Sequence, residues 1–211
     1  TDTWGDGDGD GDTCPPHWID QFGSIEPDFG LDAEVAANGD LLVAGYAGAS
    51  LPGNFSAGRP DVFIARYAPD GTRLWLRQHG TDAAEQAHAL TVGSDAAVLI
   101  AGTTDGTWMG EVNAGGYDAF VARIGVQGDV LWVRVLGSSG YDEANAIATG
   151  PDGSIYVAGE TDGNLAAPLQ PGQRNAWVAR MSPNGELQWI EPLLAGHQQV
   201  FLQLASEEFA A

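Results

Sequence analysis

The chain is poor in several things at once, and each shortage narrows its class. It holds one cysteine, Cys14, among 211 residues, so no disulfide can close within it. Its 8 basic residues are all arginine and face 29 acidic ones, for a formal charge of −21. A surface that negative repels phosphate backbones and anionic headgroups, which argues against nucleic acid and polybasic membrane contacts as partners. Divalent cations or a salty medium fit it, and so does plain solubility. No run approaches the ~20 apolar residues that cross a bilayer, so membrane insertion is not expected. No long segment repeats its apolar residues at a 3.6-residue period, so helices should be few. The four histidines, His17, His79, His88 and His197, lack metal-ligand spacing, and there is no G-x-S-x-G elbow or Cys/His pair. The sequence therefore predicts no enzyme. It opens on Thr1 without a signal peptide, which suits a processed secreted chain or a trimmed one.

What is present is repetition. Asp118 to Gly137 reads DAFVARIGVQGDVLWVRVLG; Asp61 to Gly80 reads DVFIARYAPDGTRLWLRQHG, and Asn175 to Leu194 reads NAWVARMSPNGELQWIEPLL. The step is 118 − 61 = 57 and 175 − 118 = 57, with no insertion. A fixed period marks one supersecondary unit stacked on its neighbours. Within the stretch, two apolar runs flank Asp70-Gly71, Gln127-Gly128 or Asn184-Gly185, dipeptides that tolerate the positive φ of a hairpin turn. A second hairpin precedes it, with turns at Asn38-Gly39 and Asp152-Gly153 and with Gly45, Gly102 and Gly159 each following an alanine. Glycine inside a strand marks a bulge or a close backbone approach.

Each unit thus contains four short strands, and four-stranded units of ~40 to 50 residues are β-propeller blades. The expected fold is all-β, a propeller of four-stranded antiparallel blades at about 29–78, 86–135 and 143–192. Partial strands at 18–22 and 200–204 complete a repeat region of 17–211. The excess length falls in the connection from second to third strand, 104–117 in the middle unit. Trp18, Trp75, Trp132 and Trp189 share one phase and should pack between adjacent units. Three blades with stray strands should not close alone, so self-association into an oligomer or filament, or membership of a longer array, is expected.

The strings ANAIATGPDGSIYVAGET (Ala144 to Thr161) and DAFVARIGVQGDVLW (Asp118 to Trp132), with the Gly137 to Asp142 loop, resemble the bacterial SBBP β-propeller repeat. The resemblance covers roughly Trp18 to Ile190. It implies a propeller and a secreted or cell-surface setting, and supplies no catalytic mechanism.

Candidate sites follow from strand direction. Both tight turns of each unit fall on one face and both long connections on the other, and loops on a rigid scaffold are where binding residues gather. Asp28, Glu85 and Asp142 repeat in phase there, with Asp105 and Asp162 in the other loop. They either hold Ca²⁺, which takes several oxygen ligands, or accept hydrogen bonds from their own loop amides. Asp61, Asp118 and Asn175 open the third strand and read as loop caps. Arg66, Arg123 and Arg180 should pair with these acids or stack on the tryptophans. The acidic arm 1–16 is either disordered or calcium-binding: Asp6, Asp8, Asp10 and Gly11 begin a calcium loop, but His17 stands where the bidentate Glu should be. Trp108, Met109 and Tyr117 lie in or beside the middle long loop without an exact match elsewhere, which makes them candidates for contact with a glycan or another surface protein. The leading expectation is a non-catalytic extracellular interaction or assembly module; the alternatives are a carbohydrate-binding or carbohydrate-cleaving propeller and an inactive fragment of a longer array.

Overall fold

The computed structural model describes residues 18–58, 60–166 and 173–193. Twelve strands form three four-stranded antiparallel sheets, and among the described residues there is no helix, hence none long and apolar enough to cross a membrane. The first sheet is β1 (Asp28–Val35), β2 (Leu41–Ala47), β3 (Asp61–Tyr67) and β4 (Arg73–His79). The second is β5 (Glu85–Val92), β6 (Val98–Thr104), β7 (Asp118–Ile124) and β8 (Val130–Leu136). The third is β9 (Asp142–Thr149), β10 (Ile155–Thr161), β11 (Asn175–Met181) and β12 (Leu187–Leu193). Each is a meander in chain order, with β1 beside β5 and β5 beside β9 at the inner edge. This is the expected propeller blade, repeated three times.

All six hairpin turns are built alike. In the β3–β4 turn the Gly71 amide donates to Ala68 O and the Ala68 amide to Thr72 O, a three-residue loop closed by a left-handed residue. Gly39, Gly71, Gly128, Gly153 and Gly185 hold that position with φ between 78° and 88°. In the β5–β6 turn Ala96 holds it at φ 62°, which is why no glycine marks that turn in the sequence.

The first two strands of each sheet carry a bulge. Register shifts between Gly30 and Asp32, between Ala87 and Ala89, and opposite Ala158 and Gly159, leave Leu31, His88 and Asn145 as the extra residues. Gly45, Gly102 and Gly159 sit beside those bulges.

The sheets stack face to face, so that the second is covered on both sides. Leu42, Ala44, Val62 and Ile64 of the first meet Val98, Ile100, Phe120 and Ala122 of the second. Leu99, Ala101, Ala119 and Val121 of the second meet Ile155, Val157, Trp177 and Ala179 of the third. Because strand side chains alternate, β6 and β7 feed one cluster with even-numbered and the other with odd-numbered residues. That explains their near-continuous apolar runs.

Two expectations are corrected. Residues 18–24 form no strand, and Trp18 is 40% exposed rather than core. This segment has no sheet to pair with, so it lies across the first sheet through side chains: Trp18 stacks on Tyr67 at 5.2 Å and Phe22 meets Phe63 edge-on at 5.4 Å. The second strand expected, 200–204, and Asp6, Asp8, Asp10, Cys14, His17 and His197 lie outside the described residues.

Candidate functional site

The long-loop end of the blades was expected to carry the site, and its acids have a definite use. Ser24, Thr81 and Ser138 recur at the 57-residue step, each four residues before Asp28, Glu85 or Asp142. Asp28 accepts the Ser24 amide at 2.6 Å and hydroxyl at 2.8 Å, Glu85 those of Thr81 at 2.6 and 2.7 Å, and Asp142 those of Ser138 at 2.6 and 2.8 Å. The clasp joins blades as well: the Glu85 amide donates to Pro60 O and the Asp142 amide to Tyr117 O. Asp61 accepts from the Ala57 and Gly58 amides, and Asp118 from the Ala114 amide.

These acids are therefore held apart in separate loops. Among the described residues no three His, Cys, Asp or Glu side chains are grouped as a metal ion would need, so Asp28, Glu85 and Asp142 are not brought together. Neighbouring pairs do meet at each blade junction: a Cβ on Gly80 would touch both Asp61 and Glu85. Burial pushes the Glu85 carboxyl up, against hydrogen bonds from Thr81 and Thr104 that pull it down. Burial also pushes Asp118 up, aided by the charges of Asp142 and Asp105 and opposed by the Ala114 amide. At the first junction Gln78 Nε2 reaches Asp61. At the second, Val135 occupies the equivalent position, and among the described residues Asp118 Oδ1 and Asp142 Oδ1 are buried without a partner.

The recurring arginines serve the opposite end. Arg66 binds Asp40 through Nε and Nη2, both at 2.7 Å, while Arg123 pairs with Asp95 and Arg180 with Asp152. Each pair braces the first hairpin turn of its own sheet. The hydrogen bond from Asn38 and the Arg66 guanidinium hold the Asp40 carboxyl below its usual range.

Trp108 is not available to a ligand. It is 5% exposed, packed edge-on against Phe120 at 5.1 Å. Its place recurs after all, as Leu51 and Leu165, both packed into the corresponding clusters. The residue plugs the end of its own blade, and a change of type hid the repeat. Met109, at φ 52° beside Gly110 at 88°, forms the tip of a two-residue turn between Trp108 and Glu111 and is exposed. Tyr117 lies elsewhere in the loop, its ring 5.8 Å from that of Tyr141.

Sequence reading passed over a second phased residue. Phe55 and Val112 stand 57 residues apart in equivalent long loops and are 82% and 70% exposed. Leu169 occupies the same step, outside the described residues. The signal was there in the sequence: an apolar residue repeated inside a loop. A repeated position that the fold leaves in water has no packing explanation.

A concavity of about 510 Å³ lies at the other end, the tight-turn end. The final residues of the three inner strands line it, Val35, Val92 and Thr149 in phase, with Glu34, Asn38 and Ser94. It marks where the inner edges converge.

Comparison with known proteins agrees with this architecture. Regulatory protein FlaEY of Caulobacter vibrioides is 29% identical in an alignment 161 residues long that covers 72% of this chain and 17% of that protein, so the chain spans a small part of its relative. A family model described as a β-propeller repeat, SBBP, matches residues 131–166, from β8 across the blade junction to the loop after β10. The chain thus carries three four-stranded blades at a constant step, and the stretch 131–166 within them is similar to the SBBP β-propeller repeat.

Proposed function

We propose that the chain is a non-catalytic protein-interaction module, which docks other proteins through the apolar tips of its long loops. The carrying observation is the in-phase exposure of Phe55 and Val112 on loops held by a rigid blade stack. The loop acids support the same reading, since Asp28, Glu85 and Asp142 are engaged with their own loops. A relative named as a regulatory protein fits it too. Trp108's burial removes the main support for a carbohydrate site at this end. An extracellular or cell-surface location and calcium binding by Asp6, Asp8 and Asp10 belong to the proposal and rest on the charge of −21 and the sequence of the arm.

Photo-crosslinking from positions 55 and 112 tests it, with buried Leu99 as control. Discrete protein adducts from both loop tips, suppressed by excess unlabelled chain and absent from position 99, are expected. A glycan-array signal or glycoside turnover with no protein adduct would overturn the reading.

A further inference from the structure

The tryptophan of each unit covers a glycine of the next. Trp18 lies over Gly71, Trp75 over Gly128 and Trp132 over Gly185, a constant separation of 53 residues. Each of these glycines closes the outer hairpin turn of its blade, and a Cβ there would meet the indole at 2.3, 3.3 and 3.0 Å. The ring also rests near a large residue of the covered blade: Trp18 stacks on Tyr67, Trp75 joins the cluster of Ile124, and Trp132 that of Met181. Trp75 adds a hydrogen bond across the junction, its Nε1 donating to Val126 O at 3.1 Å.

Trp189 is the fourth member of the series. Among the described residues it has no glycine to cover, and it is 39% exposed, with only an edge contact to Tyr156. The sheet around it is in the same state. Tyr156, Ala176 and Val178 are partly exposed, whereas their counterparts Leu99, Ala119 and Val121 are fully buried beneath the third blade. The third blade thus ends in a docking face already used twice within the chain.

The complementary face is on the first blade. Trp18 occupies its glycine but brings no sheet with it, and a groove of about 300 Å³ stays open beside Leu41, Val43, Phe63 and Tyr67. The counterparts of Leu41, Val43 and Phe63 in the second blade, Val98, Ile100 and Phe120, are fully buried by the first.

We propose that a second copy of this chain docks head to tail here: the third blade of one copy stacks on the first blade of the next, and Trp189 displaces Trp18 from Gly71. Residues 18–22 are then a self-cap that competes with assembly. This rests on the interaction-module reading and names one partner for it; it uses the blade faces, not the loop tips. The contact is heterologous, so it either closes a ring of whole copies or extends a filament. With −21 charges on each copy, association rises with ionic strength.

Sedimentation across the micromolar range tests the proposal on the full chain. Trp189→Ala should weaken association about tenfold or more, and Trp18→Ala should strengthen it by a similar factor, about 1.4 kcal/mol in each direction. Because Trp18→Ala could loosen the first blade, a mixing experiment backs it. Val43→Arg blocks the first-blade face and Val178→Arg the third-blade face; each variant alone should stay a single chain, while the mixture forms two-chain complexes and nothing larger. A monomeric wild type at all concentrations and salts, both tryptophan variants shifting the same way, or failure of the mixture to pair would overturn it. Crosslinks from positions 55 and 112 would be unaffected by such a failure, so the two readings fail separately.

Discussion

The bulge glycines give the sharpest test of how the blades are built. A Cβ on Gly102 would stand 1.8 Å from Gln86 O and 3.0 Å from Ala87 Cα, and the same 1.8 Å separates Gly45 from Phe29 O and Gly159 from Glu143 O. Ordinary contact for a Cβ begins near 3.4 Å, so Gly102→Ala must part β5 from β6 by about 1.6 Å, the difference of those two figures. That is a third of the ~4.8 Å strand spacing. Such a shift breaks the ladder hydrogen bonds flanking the bulge, at roughly 1 kcal/mol each, and adds the 1–3 kcal/mol typical of overpacking. The total is about 3–5 kcal/mol, or roughly a 10 °C fall in Tm for a chain of this size. Gly102 does not have a positive φ, so the whole effect is steric. Gly53 supplies the contrast: its φ is 75° and nothing lies within 4 Å of its missing Cβ. Gly53→Ala should cost only the left-handed penalty of about 1–2 kcal/mol. Urea unfolding of both variants decides the matter. If Gly102→Ala proves no more destabilising than Gly53→Ala, the bulge argument fails for all three blades.

Two further outcomes are expected. Asp118→Asn should stabilise the protein at pH 7, because Asn175 already fills the equivalent place in the third unit and the substitution removes a buried charge whose Oδ1 has no partner among the described residues. Since burial raises the folded pKa of Asp118, the wild type loses stability as pH rises from the ordinary carboxylate range through that raised value. The advantage of the variant should therefore vanish at lower pH, and a gain that grows on acidification would refute it. Adding EDTA should leave the thermal midpoint of the blades unchanged within about 1 °C, because Asp28, Glu85 and Asp142 accept from their own loops; a clear fall in a calorimetric scan would show a cation bound among them.

Much of the architecture was legible because one solution is written three times. The strands of the middle unit fall within a residue or two of where their apolar runs and turn dipeptides placed them, since Gly128 and its partners announce a backbone conformation few other residues accept. Legibility failed where the same job passed to a different side chain. Trp108 looked unique because leucine plugs the other blades, and Ala96 hid a turn by adopting a conformation usually left to glycine. Trp18 kept the phase of a core residue but lacks the sheet that would bury it. The pairing of Asp61 with Glu85, and the concavity between β1, β5 and β9, depend on how blades meet, which no single stretch of chain records.

The clasp at each blade junction has a consequence for how such chains change over generations. Serine or threonine, acid and receiving carbonyl all lie within about half a period: Pro60 O, Thr81 and Glu85 at one joint, Tyr117 O, Ser138 and Asp142 at the next. A gene duplication or deletion of one whole period therefore recreates an intact joint at the new boundary, with no second mutation required. Copy number can drift in whole steps while every surviving joint stays chemically the same.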